Sequence, residues 1–169
     1  MTDRLGALAA LTDAHSPLAE AALERFHAQA HGDALVLDKW FMLQARTPEL
    51  LGAEAGRVFT RAKALLKHRD FSMKNPNRVR SLLFTLCAGN PAAFHRADAA
   101  GYVLWADRLM ELDTLNPQVA GRLARTMDRW AVLAEPYRSA AREAIARVAA
   151  KSDLSNDVRE IVTRALEQA

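Results

Sequence analysis

The stretch that decides the fold is Asn75–His95, NPNRVRSLLFTLCAGNPAAFH, which holds two of the three Asn-Pro pairs in the chain. Asn is a favoured helix N-cap, because its side-chain oxygen accepts an orphan backbone N–H. Pro suits the next position, where a missing N–H costs nothing. Asn75-Pro76 therefore opens one helix and Asn90-Pro91 the next. Behind the first cap, Val79, Leu82, Leu83 and Leu86 follow the i, i+3, i+4, i+7 spacing of a buried helical face. Arg78 and Arg80 enter within the first two turns, at the unfavourable end of the helix dipole. Something must answer them: a carboxylate, a wet cavity or a ligand.

Working outward, the same grammar recurs. Thr2 or Asp3 caps a helix to about Ala14, and Ser16-Pro17 starts a second to about His31, closed by Gly32. Asp33 caps a third through about Arg46, with Val36, Trp40 and Leu43 beside Leu37 and Phe41. A face that wide expects two buried neighbours. Thr47-Pro48 opens a fourth segment to about His68, weakened at the front by Gly52 and Gly56. Asp70-Phe71-Ser72 is a connector. Beyond the short helix after Asn90 come a helix from Ala99 or Gly101 to Leu115 and one capped by Asn116-Pro117 that ends near Trp130 to Leu133. Pro136 begins another, and Ser152 or Ser155 caps the last. No segment alternates with period two, so no strands are expected.

At 169 residues the length fits a single domain, 1–169, that buries roughly 70% of its unfolded surface. Pairs of helices spaced every ~35 to 45 residues match HEAT or armadillo repeats. The expected fold is all-α: an irregular, HEAT/armadillo-like α-solenoid of antiparallel helical pairs, about ten helices in all. The net charge of +3 is small, and Arg alternates with Asp and Glu, which argues against nucleic acid as a partner. No apolar run approaches the roughly 20 residues of a membrane span. Cys87 is the lone cysteine, so no intrachain disulfide forms, and it reads as a small hydrophobe. A cytoplasmic location fits.

The quoted stretch, continued to Tyr102, resembles the C-terminal helical domain of bacterial aminopeptidase N, the alanyl aminopeptidases of the zinc gluzincin class. LVLDKWFMLQA (35–45), LNPQVAGRL (115–123) and LSNDVREIVTRAL (154–166) carry the same resemblance in the family's order. The opening MTDRLGALAAL resembles an internal family segment, so Met1 need not be a natural start. The resemblance implies a repeat-like helical bowl belonging to a larger zinc metallopeptidase, with catalytic and N-terminal domains of that parent as its partners and peptides as its substrates.

Catalytic residues are not expected in this chain. H-E-x-x-H needs two His one helical turn apart with Glu between them as base. His27 and His31 have the spacing, but Ala28 stands where the Glu must be. The pair is read as solvated and no metal site is assigned; zinc is expected in the parent alone. There is no G-x-S-x-G, P-loop or dinucleotide fingerprint. Arg80 and Arg122 each follow an Asn-Pro pair, five or six positions after the Asn. The resemblance implies that these two arginines line an internal cavity and guide a peptide's C-terminal carboxylate, with Asn77 and Arg78 as lesser members. An intradomain ion pair is the alternative at each. Trp40 and Phe41 are expected in the core, whereas Trp130, after Asp128 and Arg129, stays open. The leading reading is a non-catalytic domain that caps the cavity of an aminopeptidase. The alternative is a free-standing α-solenoid scaffold that binds a protein partner.

Overall fold

Each Asn-Pro pair becomes a helix start in a computed structural model, which describes residues 2–167. Asn75 Oδ1 accepts the amides of Asn77 and Arg78 at 3.0 and 3.2 Å, and Asn116 Oδ1 accepts Val119 N at 3.1 Å. Asn90 does more. Its Oδ1 accepts Ala93 N, while its Nδ2 donates to the carbonyls of Ala45 and Thr47 at 2.9 and 2.8 Å. One buried amide thus caps the start of one helix and satisfies orphan carbonyls at the end of another. Among the described residues the secondary structure is helical throughout, with no strand, and none of these helices is long and apolar enough to cross a membrane.

The chain divides between Ala93 and Phe94 into two compact units. The first holds α1 (Thr2–Asp13), α2 (Ala19–Ala28), α3 (Ala34–Arg46), α4 (Arg57–Leu65), α5 (Pro76–Val79), a π-helical turn (Arg80–Phe84) and α6 (Thr85–Gly89). α3 is its hub and packs on α2, α4, the π turn and α6. Its wide apolar face, Val36, Leu37, Trp40, Phe41 and Leu43, is buried as expected. α7 (Pro91–Phe94) is a single turn. In the second unit α8 (Ala100–Leu115) packs on α9 (Pro117–Ala124) and α10 (Tyr137–Ala149), and α11 (Asn156–Glu167) packs on both α9 and α10. Gly101 lies where α8 meets the Phe94 carbonyl: a Cβ there would stand 1.9 Å from that oxygen.

Three tryptophans tie helices together. Each indole N–H donates at 3.0 Å to a backbone carbonyl of another helix: Trp40 to Leu23, Trp105 to Leu123 and Trp130 to Ala165. A buried indole needs such a partner. Trp130, open in the sequence, is a core residue.

Three helix boundaries depart from expectation. α2 stops at Ala28, short of His31, because His31 and Gly32 both take left-handed backbone, φ 45° and 82°. The fourth segment is helical only from Arg57. Gly52 and Gly56 hold φ of 70° and 88°, and the Glu49 carboxylate caps α4 in place of a side chain at Gly56, accepting Val58 N and Phe59 N. α9 ends at Ala124, well before Trp130. The Leu123 carbonyl is occupied by the Trp105 indole and the Thr126 hydroxyl, and the chain tightens into a 3₁₀ turn at Arg125–Met127. At the last helix Ser155 is the capping residue. Its amide and hydroxyl both donate to buried Asp113 on α8, and its Oγ accepts Val158 N.

Candidate functional site

The two arginines after the Asn75 cap have opposite fates. Arg78 is buried. Its Nη1 lies 2.6 Å from Asp38 Oδ1 on α3, and its guanidinium stacks over the Phe41 ring at 5.2 Å. Arg80 points to solvent and donates to Asn77 Oδ1 at 3.1 Å; it pairs with no carboxylate among the described residues. Its carbonyl accepts Thr85 N five residues on, so Arg80 opens the π turn. Short π insertions in α-helices are frequent at functional sites. Asn77 and Arg80 are therefore brought together, whereas Arg78 anchors the helix from inside. Arg122, on α9 of the second unit, is exposed and makes no hydrogen bond or ion pair among the described residues.

The histidine spacing noted in the sequence builds no H-E-x-x-H site. His31 lies beyond the end of α2, on left-handed backbone and exposed, and Ala28 supplies no base. A zinc of the H-E-x-x-H kind does not fit these residues. His27 instead faces the connector between α4 and α5. Its Nε2 is 2.8 Å from Asp70 Oδ2, and His68 Nδ1 is 3.6 Å from the same oxygen. The His27 ring lies against Trp40 at 4.5 Å, and the His68 ring meets Trp40 at 5.1 Å and Phe41 at 5.8 Å. Burial lowers the His68 pKa, opposed by the Asp70 charge and assisted by His27 and Arg69. Burial pushes the Asp70 carboxyl upward. The hydrogen bond from His27 and the neighbouring positive charges outweigh it and hold the group below its usual range. Reading the sequence at i, i+4 missed this trio, because its members come from segments about forty residues apart.

A further polar pair lies in the second unit. His95 Nδ1 and the Tyr102 hydroxyl are 2.8 Å apart. Burial lowers the His95 pKa, and burial with the nearby Tyr137 pushes Tyr102 up to about 12. Both groups are therefore neutral near pH 7, and one hydrogen bond joins them. Burial also raises the Cys87 thiol far above its usual value, which leaves it unreactive.

Three curated relatives match this chain in sequence, and a solved structure matches it in fold. The chain is 39% identical over 166 residues to aminopeptidase N of Escherichia coli, 37% to that of Caulobacter vibrioides and 34% over 167 residues to that of Haemophilus influenzae. Each match covers 98–99% of this chain but 18% of the relative, so the chain spans about a fifth of their length. The crystal structure of Legionella pneumophila aminopeptidase A in complex with aspartic acid superposes with a TM-score of 0.88 at 29% identity, covering all of this chain and 19% of that one. A family model described as a domain of unknown function (DUF3458_C), ARM repeats, matches residues 1–167. This chain belongs to that ARM-repeat domain family.

Proposed function

We propose that the chain is the non-catalytic, C-terminal helical domain of a larger zinc aminopeptidase, where it closes over the active-site cavity and governs peptide entry. The near-complete match of this chain to a fifth of each aminopeptidase N supports a parent of that class. The catalytic zinc, which would activate water for peptide hydrolysis, is assigned to a separate domain, since this chain lacks its ligand pattern.

The observation that carries the access role is Arg80. An arginine near a helix N-terminus opposes the dipole. Arg78 is offset by Asp38, but among the described residues Arg80 has only the neutral Asn77 amide. A planar guanidinium held by one amide keeps most of its donors free for a carboxylate, and it stays charged at any physiological pH. In this reading Arg80, oriented by Asn77, draws the C-terminal carboxylate of an incoming peptide, and Arg122 in the other unit is a separate candidate for the same role. Arg78 fixes the turn that presents Arg80.

The test compares two substrates in the full-length enzyme carrying Arg80→Ala, Arg122→Ala or both. A short peptide with a free C-terminal carboxylate should lose about tenfold in kcat/KM, worth about 1.4 kcal/mol of binding. A small chromogenic amide lacking that carboxylate should be turned over unchanged. An unaltered peptide-to-amide ratio in all three variants overturns the assignment of both arginines.

A further inference from the structure

We infer that His27, His68 and Asp70 form a binding site for a divalent transition-metal ion of the zinc class, clamping α2 to the connector between α4 and α5. One ligand atom from each residue lies within 4.8 Å of the other two. The donor set is two imidazoles and one carboxylate, a combination suited to zinc, copper or nickel and ill suited to calcium or magnesium. Three protein ligands leave a fourth position for water, and the side chains are 19%, 29% and 29% exposed, so an ion can reach them.

The geometry is near that of a bound ion. Ligand bonds of ~2.0–2.2 Å at tetrahedral angles place neighbouring ligand atoms roughly 3.3 Å apart. The separation of His68 Nδ1 from Asp70 Oδ2, 3.6 Å, is already close to this. That of His27 Nε2 from Asp70 Oδ2, 2.8 Å, is a hydrogen bond that opens by about half an ångström when a metal replaces its proton. Any proton shared by that pair is released to solvent as the ion binds. The Asp70 amide donates to His68 Nδ1 at 3.2 Å, so that nitrogen is an unprotonated acceptor, and an incoming ion takes the place of this amide hydrogen bond. Arg69, whose Nε is 3.9 Å from Asp70 Oδ2, is 83% exposed and free to swing away from an incoming cation.

The surroundings orient the ligands. The His27 ring is held against Trp40, and the His68 ring is wedged against Trp40 and Phe41, two α3 core residues. Imidazoles fixed by packing lose little freedom on binding metal, which is how supporting residues tune such sites.

The experiment uses the tag-free 169-residue chain and zinc ion alone. Long-range ¹H–¹⁵N spectra of the five histidines should show the ring nitrogens of His27 and His68 shifting together on adding one equivalent, with His15, His31 and His95 unmoved. Cobalt ion should give the intense visible bands of a four- or five-coordinate site. His27→Gln and Asp70→Asn should each weaken zinc binding at least tenfold, while His31→Gln, a neighbouring exposed histidine outside the trio, leaves it unchanged. Binding that shifts only His15 or His31, equal affinity in all variants, or no binding by the parent chain overturns the inference. The spectra of the unmodified chain decide the matter even if a variant folds poorly.

Discussion

At the scale of single residues, Arg78 and Arg80 show how two identical side chains two positions apart acquire different roles. Replacing Arg78 with Ala strands Asp38 in a largely buried setting and strips the Phe41 ring of its cover. The expected cost is about 3 kcal/mol, in the range for breaking a buried ion pair by one partner. Arg80→Ala removes an exposed group and should stay within about 0.5 kcal/mol. Urea denaturation of the two variants checks the contrast; equal losses would place Arg80 in an ion pair not found among the described residues. Glycines give a second contrast. Gly101→Ala drives a methyl into the Phe94 carbonyl, a backbone atom that cannot step aside, and should cost about 3 kcal/mol or more. Gly6→Ala sits on an exposed face of α1 with nothing within 4 Å and should stabilise by up to about 1 kcal/mol. The same two thermal melts test both, and a neutral Gly101→Ala would mean that α8 shifts freely away from Phe94.

At the scale of elements, what the sequence made legible was local. Asn75, Asn116 and Asp33 act within three residues of themselves, so their caps could be read from composition and spacing. The second half of Asn90's work could not, because its Nδ2 reaches carbonyls 43 and 45 residues back. The indole partners of the three tryptophans and the His27–Asp70 contact are equally remote in sequence. The front of the fourth segment, expected as a weakened helix, is not α-helical because Gly52 and Gly56 take left-handed backbone. That Asn77 and Arg80 follow the Asn75 cap is legible in the sequence; the inward turn of Arg78 is not, since Asp38 lies forty residues away. The start of α8 supplies a pH prediction. His95 has a lowered pKa in the folded chain, so the unfolded chain binds more protons. Its contribution to stability is full above about pH 6.5 and is lost as pH falls toward the depressed folded value. The urea midpoint should therefore drop between about pH 7.5 and about pH 5.5, and His95→Gln should flatten part of that slope, leaving the part due to His68. A slope identical in wild type and variant would show that His95 is as easily protonated folded as unfolded.

At the scale of the whole molecule, the question is what the surface is for. Each unit buries its own core, yet each leaves large apolar side chains in water. Leu18, Leu35 and Leu51 are 65%, 68% and 86% exposed in the first unit, and Val132 is 75% exposed in the second. Single exposed hydrophobes are ordinary on a soluble protein. They acquire meaning when a chain matches a fifth of a longer relative end to end, because a domain within a larger enzyme packs part of its surface against the remainder. The chain expressed alone should then bind a separately expressed catalytic fragment of its parent, or associate with itself when that fragment is absent. Sedimentation velocity over a concentration series reads both. Leu51→Ser and Val132→Ser, at largely exposed positions, should weaken whichever association is seen without lowering the melting temperature. A chain that stays monomeric at high concentration and passes the catalytic fragment unbound would favour a free-standing helical scaffold with another partner. In that event Arg80 would need a ligand other than a peptide on its way to an aminopeptidase active site.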